Sequence, residues 1–140
     1  MLYPFSVRVY GIYLDSDKNI LISKEKIAGN WYTKFPGGGL EFGEGTLQCL
    51  QREFKEEMNL EIEIGPHLYT TDFFCESEFR KGIQVISIYY LINSISNLPQ
   101  VSEPGIQECE LLPIHQINLS YLTFETDQKA FTHLQRILQK

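Results

Sequence analysis

Cysteine is scarce in this chain: Cys49, Cys75 and Cys109 are odd in number and include no C-x-x-C pair. That excludes a disulfide framework and fits small buried side chains in a reducing compartment, by default the cytoplasm. Hydrophobic runs long enough to cross a bilayer are missing. The apolar N-terminus carries Arg8 and lacks a small-residue cleavage site, so neither a signal peptide nor a membrane span is expected. Basic residues are few, 12 Lys+Arg against 18 Asp+Glu, a balance that argues against nucleic acid or an anionic membrane as the main partner. His67, His115 and His133 have no metal-ligand spacing among themselves. Repeats, low-complexity tracts and interdomain linkers are absent as well.

What remains is a chain of 140 residues, 43% hydrophobic and 13% aromatic, enough to bury a core without disulfides or a structural metal. One domain spanning residues 1–140 is expected. Phe5 to Leu14 and Asn19 to Ser23 read as strands, with Ser16-Asp17-Lys18-Asn19 as a turn that would join them into an opening hairpin. Lys24 to Asn30 reads as a loop, Trp31 to Phe35 as a short apolar stretch, and Pro36-Gly37-Gly38-Gly39 as a further loop. From Thr46 to Met58 the apolar residues Leu47, Leu50, Phe54 and Met58 recur at intervals of three, four and four, predicting a helix. Asn59 stands where a left-handed helix-ending residue is expected. Leu60 to Ile64, Leu68 to Phe74, Gly82 to Asn93 and Glu108 to Leu112 read as strands, and Glu125 to Leu138 as a final helix. Strands mixed with two helices predict an α+β or α/β sandwich.

The net charge of −6 has a location. Residues 41–63 hold seven glutamates against one arginine and one lysine, a net of −5. Glu53, Glu56 and Glu57 converge on one side of the predicted helix, bordering its apolar face. Carboxylates this close repel one another unless a cation or proton intervenes, and hard oxygen donors suit Mg²⁺ or Mn²⁺. A solvated helix face, relieved by Arg52 and Lys55, is the alternative; Glu41, Glu61 and Glu63 read that way. The glycines at 37–39 allow close backbone approach to a ligand and can present carbonyls or amides to a phosphate, which makes Gly38 and Gly39 candidate substrate contacts.

Gly38, five residues, Glu44, seven residues, then Arg52-Glu53-Phe54-Lys55-Glu56-Glu57-Met58-Asn59-Leu60 resembles the Nudix box, here residues 38–60. Six of its seven fixed positions match. Asn59 replaces the box glycine, and Phe54 stands where an aliphatic residue is usual. The resemblance implies the Nudix fold, an α/β/α sandwich with a mixed sheet between helices. It also implies Mg²⁺-dependent hydrolysis of a diphosphate bond in a nucleoside diphosphate linked to another group, with Mn²⁺ as a substitute. A nucleoside triphosphate, nucleotide sugar or dinucleotide is the implied small-molecule partner, bound by a monomer or homodimer.

By the same resemblance Glu56 and Glu57 are metal ligands, Glu53 is a further ligand or the base, and the carbonyl of Gly37 completes the coordination. Arg52 orients a box glutamate, while Glu44 either fixes the loop or ligates through water. Glu108 is the first candidate for an additional catalytic carboxylate, ahead of Glu103, Glu76 and Glu78. From the residues themselves, Arg8 interrupts an apolar strand and reaches either a substrate phosphate or a neighbouring acid. Phe5, Tyr10, Trp31, Tyr32, Phe73 and Phe74 read as strand core, with a base-stacking platform as the alternative. Cys49, one turn before Glu53, reads as packing. A domain that binds nucleotides without cleaving them is the rival function; four intact box glutamates and the chain length weigh against it.

Overall fold

A computed structural model describes residues 4–139. Among the described residues the strands form two sheets. The first is mixed, with strand order β4 (Gly37–Gly39), β1 (Phe5–Tyr13), β6 (Gln84–Ile95), β5 (Ile62–Thr70). Its central pair, β1 and β6, runs parallel from Phe5 opposite Gln84 to Tyr13 opposite Ile92. The second is antiparallel, with order β3 (Asn30–Lys34), β2 (Asn19–Ile27), β7 (Gln107–Pro113).

Helices α1 (Thr46–Met58) and α2 (Glu125–Leu138) organise two hydrophobic clusters. Leu50, Phe54 and Met58 of α1 pack with Val9, Leu21, Leu60 and Ile92, while Ala130, Phe131 and Leu134 of α2 pack with Tyr10, Ile12, Ile22, Phe35 and Tyr89. Alternation along β1 sends Val9 to one cluster and Tyr10 to the other, so the sheets lie between the helices in an α/β/α sandwich. Burial of Phe54, fully removed from solvent, contributes about 2–3 kcal/mol. Among the described residues no helix is long and apolar enough to cross a membrane.

Both helices occupy the predicted spans, with one difference: Leu47 is half-exposed, and Cys49 is buried in the first turn of α1. The start of α1 is held by the Gln48 side-chain oxygen Oε1, which accepts from the Gly45 N–H at 2.8 Å. Its end is Asn59, in the left-handed region at φ 54° and ψ 40°, donating its N–H to the Lys55 carbonyl.

The strands depart further from expectation. β1 and β2 meet only at their turn, through a single bridge between Leu14 and Ile20, and then separate into different sheets. The opening hairpin is therefore corrected: β1 gains more by pairing with β6 inside the core than by continuing alongside β2. β2 runs on to Ile27 through residues expected as loop, because its backbone pairs with both β3 and β7. The glycines at 37–39 form a short strand paired with β1, Gly38 opposite Val9. The two strands expected between Leu60 and Phe74 are one, β5, whose pairing with β6 shifts register between residues 63 and 69.

Candidate active site

Gly37 and Gly38 bring α1 close to the edge of the first sheet. Gly37 has φ +149°, and a Cβ there would lie 2.7 Å from the Tyr10 Cα. A Cβ on Gly38 would fall 2.5 and 2.6 Å from the two carboxyl oxygens of Glu53. The Glu53 carboxyl thus lies directly on the Gly38 backbone, an approach only glycine permits.

Arg52 braces the acidic face. Its Nε and Nη2 donate to the two oxygens of Glu44 at 3.0 and 2.7 Å, a bidentate pair. Nη2 also donates to the Gly39 carbonyl at 3.0 Å, and Nη1 to Glu53 at 2.9 Å and Glu56 at 3.2 Å. Glu44 in turn accepts from the Glu41 N–H at 2.9 Å. The loop before α1, the Gly39 backbone and two box glutamates are therefore tied to one guanidinium. Hydrogen bonds from Arg52 and from the Glu41 backbone hold the Glu44 carboxyl down at about 2. Of the two roles open to Glu44, the geometry displays the loop-fixing one.

Glu57 is in a different state. Burial pushes its carboxyl up to about 8, with the neighbouring Glu53 adding to the rise and Lys34 opposing it. Two acids crowded in a poorly hydrated place form a hard-oxygen donor set whose repulsion a divalent cation relieves, so the residues fit the Mg²⁺ or Mn²⁺ of the expectation. Glu56 is the exposed member, with 60% of its side chain accessible against 14% for Glu53. Among the described residues no three His, Cys, Asp or Glu side chains close on one point; Glu53 and Glu56 each direct an oxygen to Arg52 instead.

Cys49 is fully buried at the back of this arrangement, its Sγ 3.5 Å from the Gly39 carbonyl, and burial pushes its thiol up to about 12. It packs, and burial keeps it in the protonated form, which is a poor nucleophile.

A cavity of about 430 Å³ reaches toward the acids through Arg8, which interacts with Glu53, and Lys34, which interacts with Glu57; its size is within the range of small-molecule sites. Arg8, Tyr10 and Lys34 line it from the sheets, and Phe74, Phe79 and Phe124 from the loops. Tyr32, Phe79 and Phe124 pack as one aromatic cluster, Tyr32 stacked on Phe124 at 5.7 Å and edge-on to Phe79 at 5.4 Å. Of the other aromatic candidates, Tyr10 is buried and stacked on Tyr89, whereas Phe5 and Trp31 are exposed. The Arg8 Nε donates to the Tyr10 hydroxyl at 2.6 Å, and its Nη1 would lie 3.6 Å from a Cβ on Gly39. Arg8 therefore stands between the cavity and the acids.

The structure brings together Gly37, Gly38, Gly39, Arg52, Glu53, Glu56 and Glu57, with Arg8 beside them. It does not bring Glu108 to them. Glu108 is exposed on β7 opposite Lys24. It alternates with Cys109 and Leu111, which pack in the α1 cluster, and makes no ion pair or side-chain hydrogen bond among the described residues. Sequence reasoning missed Lys34. Its one signal is a cation in an otherwise uncharged strand immediately before Phe35-Pro36-Gly37.

A family model described as the NUDIX domain matches residues 3–135. The fold is similar to the solution structure of the E. coli ORF135 protein, with a TM-score of 0.80 at 18% identity over 96% of this chain and 91% of that one. It is similar to the MutT protein from Methanosarcina mazei Go1, with a TM-score of 0.80 at 18% identity over 100% and 99%. A MutT NUDIX hydrolase from Burkholderia pseudomallei gives a TM-score of 0.75 at 21% identity over 94% and 98%.

Proposed function

Because this chain belongs to the Nudix family, we propose that it is a Mg²⁺-dependent hydrolase of a diphosphate bond in a nucleoside diphosphate linked to a further group. The observation that carries the reading is the Glu53 carboxyl, braced by Arg52 against the Gly38 backbone and neighboured by the buried Glu57, with a cavity of about 430 Å³ lined by Arg8 and Lys34 alongside.

Glu56 and Glu57, with the Gly37 carbonyl, are the residues assigned to hold the cation, which when bound supplies neutralisation of phosphate oxygens and Lewis-acid polarisation of water. Arg52 keeps one oxygen of Glu53 engaged and its carboxyl fixed, leaving the other oxygen to accept the proton of the attacking water. A new P–O bond forms from that water, the bridging P–O bond breaks, and each half leaves as a phosphorylated product. Arg8 and the backbone at Gly38 and Gly39 bind the substrate's phosphate region.

A panel of nucleoside triphosphates, nucleotide sugars and dinucleotides, assayed with Mg²⁺ and with Mn²⁺ and read by product identity, tests this reading. Release of a nucleoside monophosphate from at least one class is expected. Tight nucleotide binding with no turnover across the panel would favour a sensing domain instead.

A further inference from the structure

Lys34 is a largely buried cation that makes no side-chain hydrogen bond among the described residues. Only 8% of its side chain is accessible, and the nearest carboxylate oxygen, on Glu25, is 3.7 Å away, beyond hydrogen-bond length. Its ammonium lies 5.7 Å from the centre of the Tyr10 ring, and it lines the 430 Å³ cavity together with Arg8. Arg8 approaches the same ring, at 5.7 Å. Two cations thus converge over one tyrosine at the inner end of the cavity, next to the acids of α1. An ammonium on a mostly buried side chain that faces a cavity without a protein hydrogen bond has donors free for an anionic ligand.

The rest of the cavity has the opposite character. Phe74, Phe79 and Phe124 supply flat apolar wall, and Glu76, Glu78 and Glu125 stand around it with Arg80 as the further cation. Such a wall accepts an uncharged aromatic group and repels a second anion.

We propose that Lys34 and Arg8 form a seat for a single phosphoryl group, and that the nucleoside attached to that phosphoryl fills the aromatic part of the cavity. This rests on the diphosphatase reading for its substrate and adds an orientation: the nucleoside monophosphate half enters the cavity, and the other half of the diphosphate lies outside it. Lys34 is a binding and specificity residue here, acting on the phosphoryl that stays with the nucleoside.

The test is calorimetric binding to the full chain in EDTA, so that no metal contributes. The four common nucleoside 5′-monophosphates are titrated, and the tightest is compared with its own nucleoside, with inorganic phosphate and with pyrophosphate. The monophosphate is expected to bind about tenfold or more tighter than its nucleoside and tighter than either inorganic anion. Lys34→Met should erase most of that advantage while leaving nucleoside binding unchanged, and Lys34→Arg should retain it. Glu25→Gln, which removes the carboxylate competing for Lys34, should tighten monophosphate binding severalfold, and it serves if Lys34→Met does not fold. An unchanged monophosphate-to-nucleoside ratio in Lys34→Met, no tightening in Glu25→Gln, or preferential binding of pyrophosphate would overturn the proposal. Failure of the diphosphatase reading is separate, since it would leave the seat intact and show no turnover in the nucleotide panel.

Discussion

The Glu53 carboxyl rests on the Cα of Gly38, with both carboxyl oxygens where a Cβ would have to go. One is a helix residue and the other belongs to an edge strand, so the contact sets the position of α1's acids relative to the sheet. Gly38→Ala can be accommodated by turning the end of a glutamate side chain, which leaves the fold intact and moves the carboxylate. The unfolding midpoint should shift by only a few degrees, about 1 kcal/mol. Hydrolysis should fall about 10²-fold, the typical result of displacing a reacting group by an ångström. Parallel measurement of Tm and kcat/KM checks this; a large Tm loss with unchanged activity would refute it.

Arg52 and Glu44 act as one unit. A lysine cannot reproduce the two bonds to Glu44 while also reaching the Gly39 carbonyl, Glu53 and Glu56. Arg52→Lys and Glu44→Gln should each lower kcat/KM about 10- to 100-fold, as the loss of positioning contacts around a metal site does. The double variant should be little worse than the poorer single one. Kinetics of all four proteins decide it: additive losses would mean that the two residues act separately.

Asp127 provides a pH signature on stability. It is buried, accepts from the Tyr89 hydroxyl and the Phe35 N–H, and burial pushes its carboxyl up to about 6 from an ordinary 3.8. The folded chain therefore holds this proton more tightly than the unfolded chain does. The cost of burying the charge is fully present above pH 6 and is relieved as pH falls through 6 toward 3.8, so this group alone makes stability decline with rising pH in that window. The difference is about 3 kcal/mol. Urea unfolding of the wild type and Asp127→Asn from pH 4 to 7 should show the variant gaining on the wild type by that order as pH rises. A constant offset would contradict the assignment.

Asn59 holds the left-handed position at the end of α1 at φ 54°. Asn59→Gly should be neutral or stabilising, and Asn59→Ala should cost about 1 kcal/mol. Denaturant midpoints of the two variants check the sign. Activity should be unchanged, because among the described residues the side chain of Asn59 makes no hydrogen bond to the acids.

The parts legible in sequence were those set by local periodicity. The three-four-four spacing of Leu47, Leu50, Phe54 and Met58 gave α1 its span, and the same helical geometry placed Glu53, Glu56 and Glu57 together. Asn59 was legible because so few residues tolerate its backbone conformation. What failed was decided at long range. The polar turn at Ser16–Asn19 reveals that the chain reverses, and nothing in it reveals that β1 leaves its neighbour to pair with β6, each residue with a partner 79 positions later. Gly65-Pro66 reads as a break, yet register shifts against β6 carry β5 through it as one strand. Lys34 was invisible for a related reason: a lysine in a short strand usually points to solvent, and only the assembled cavity shows that this one does not. Glu108 was chosen for its nearness to an apolar-Pro segment, whereas strand alternation determines which way it faces.

The most direct measurement is Mg²⁺-dependent release of nucleoside monophosphate by the wild type and by Glu57→Gln, with EDTA controls and a folding check by circular dichroism. The wild type should turn over only with divalent cation, and the folded variant should be slower by about 10²-fold or more. Equal turnover by the folded Glu57→Gln protein, or wild-type turnover undiminished in EDTA, would contradict the assignment of hydrolysis to the acids of α1.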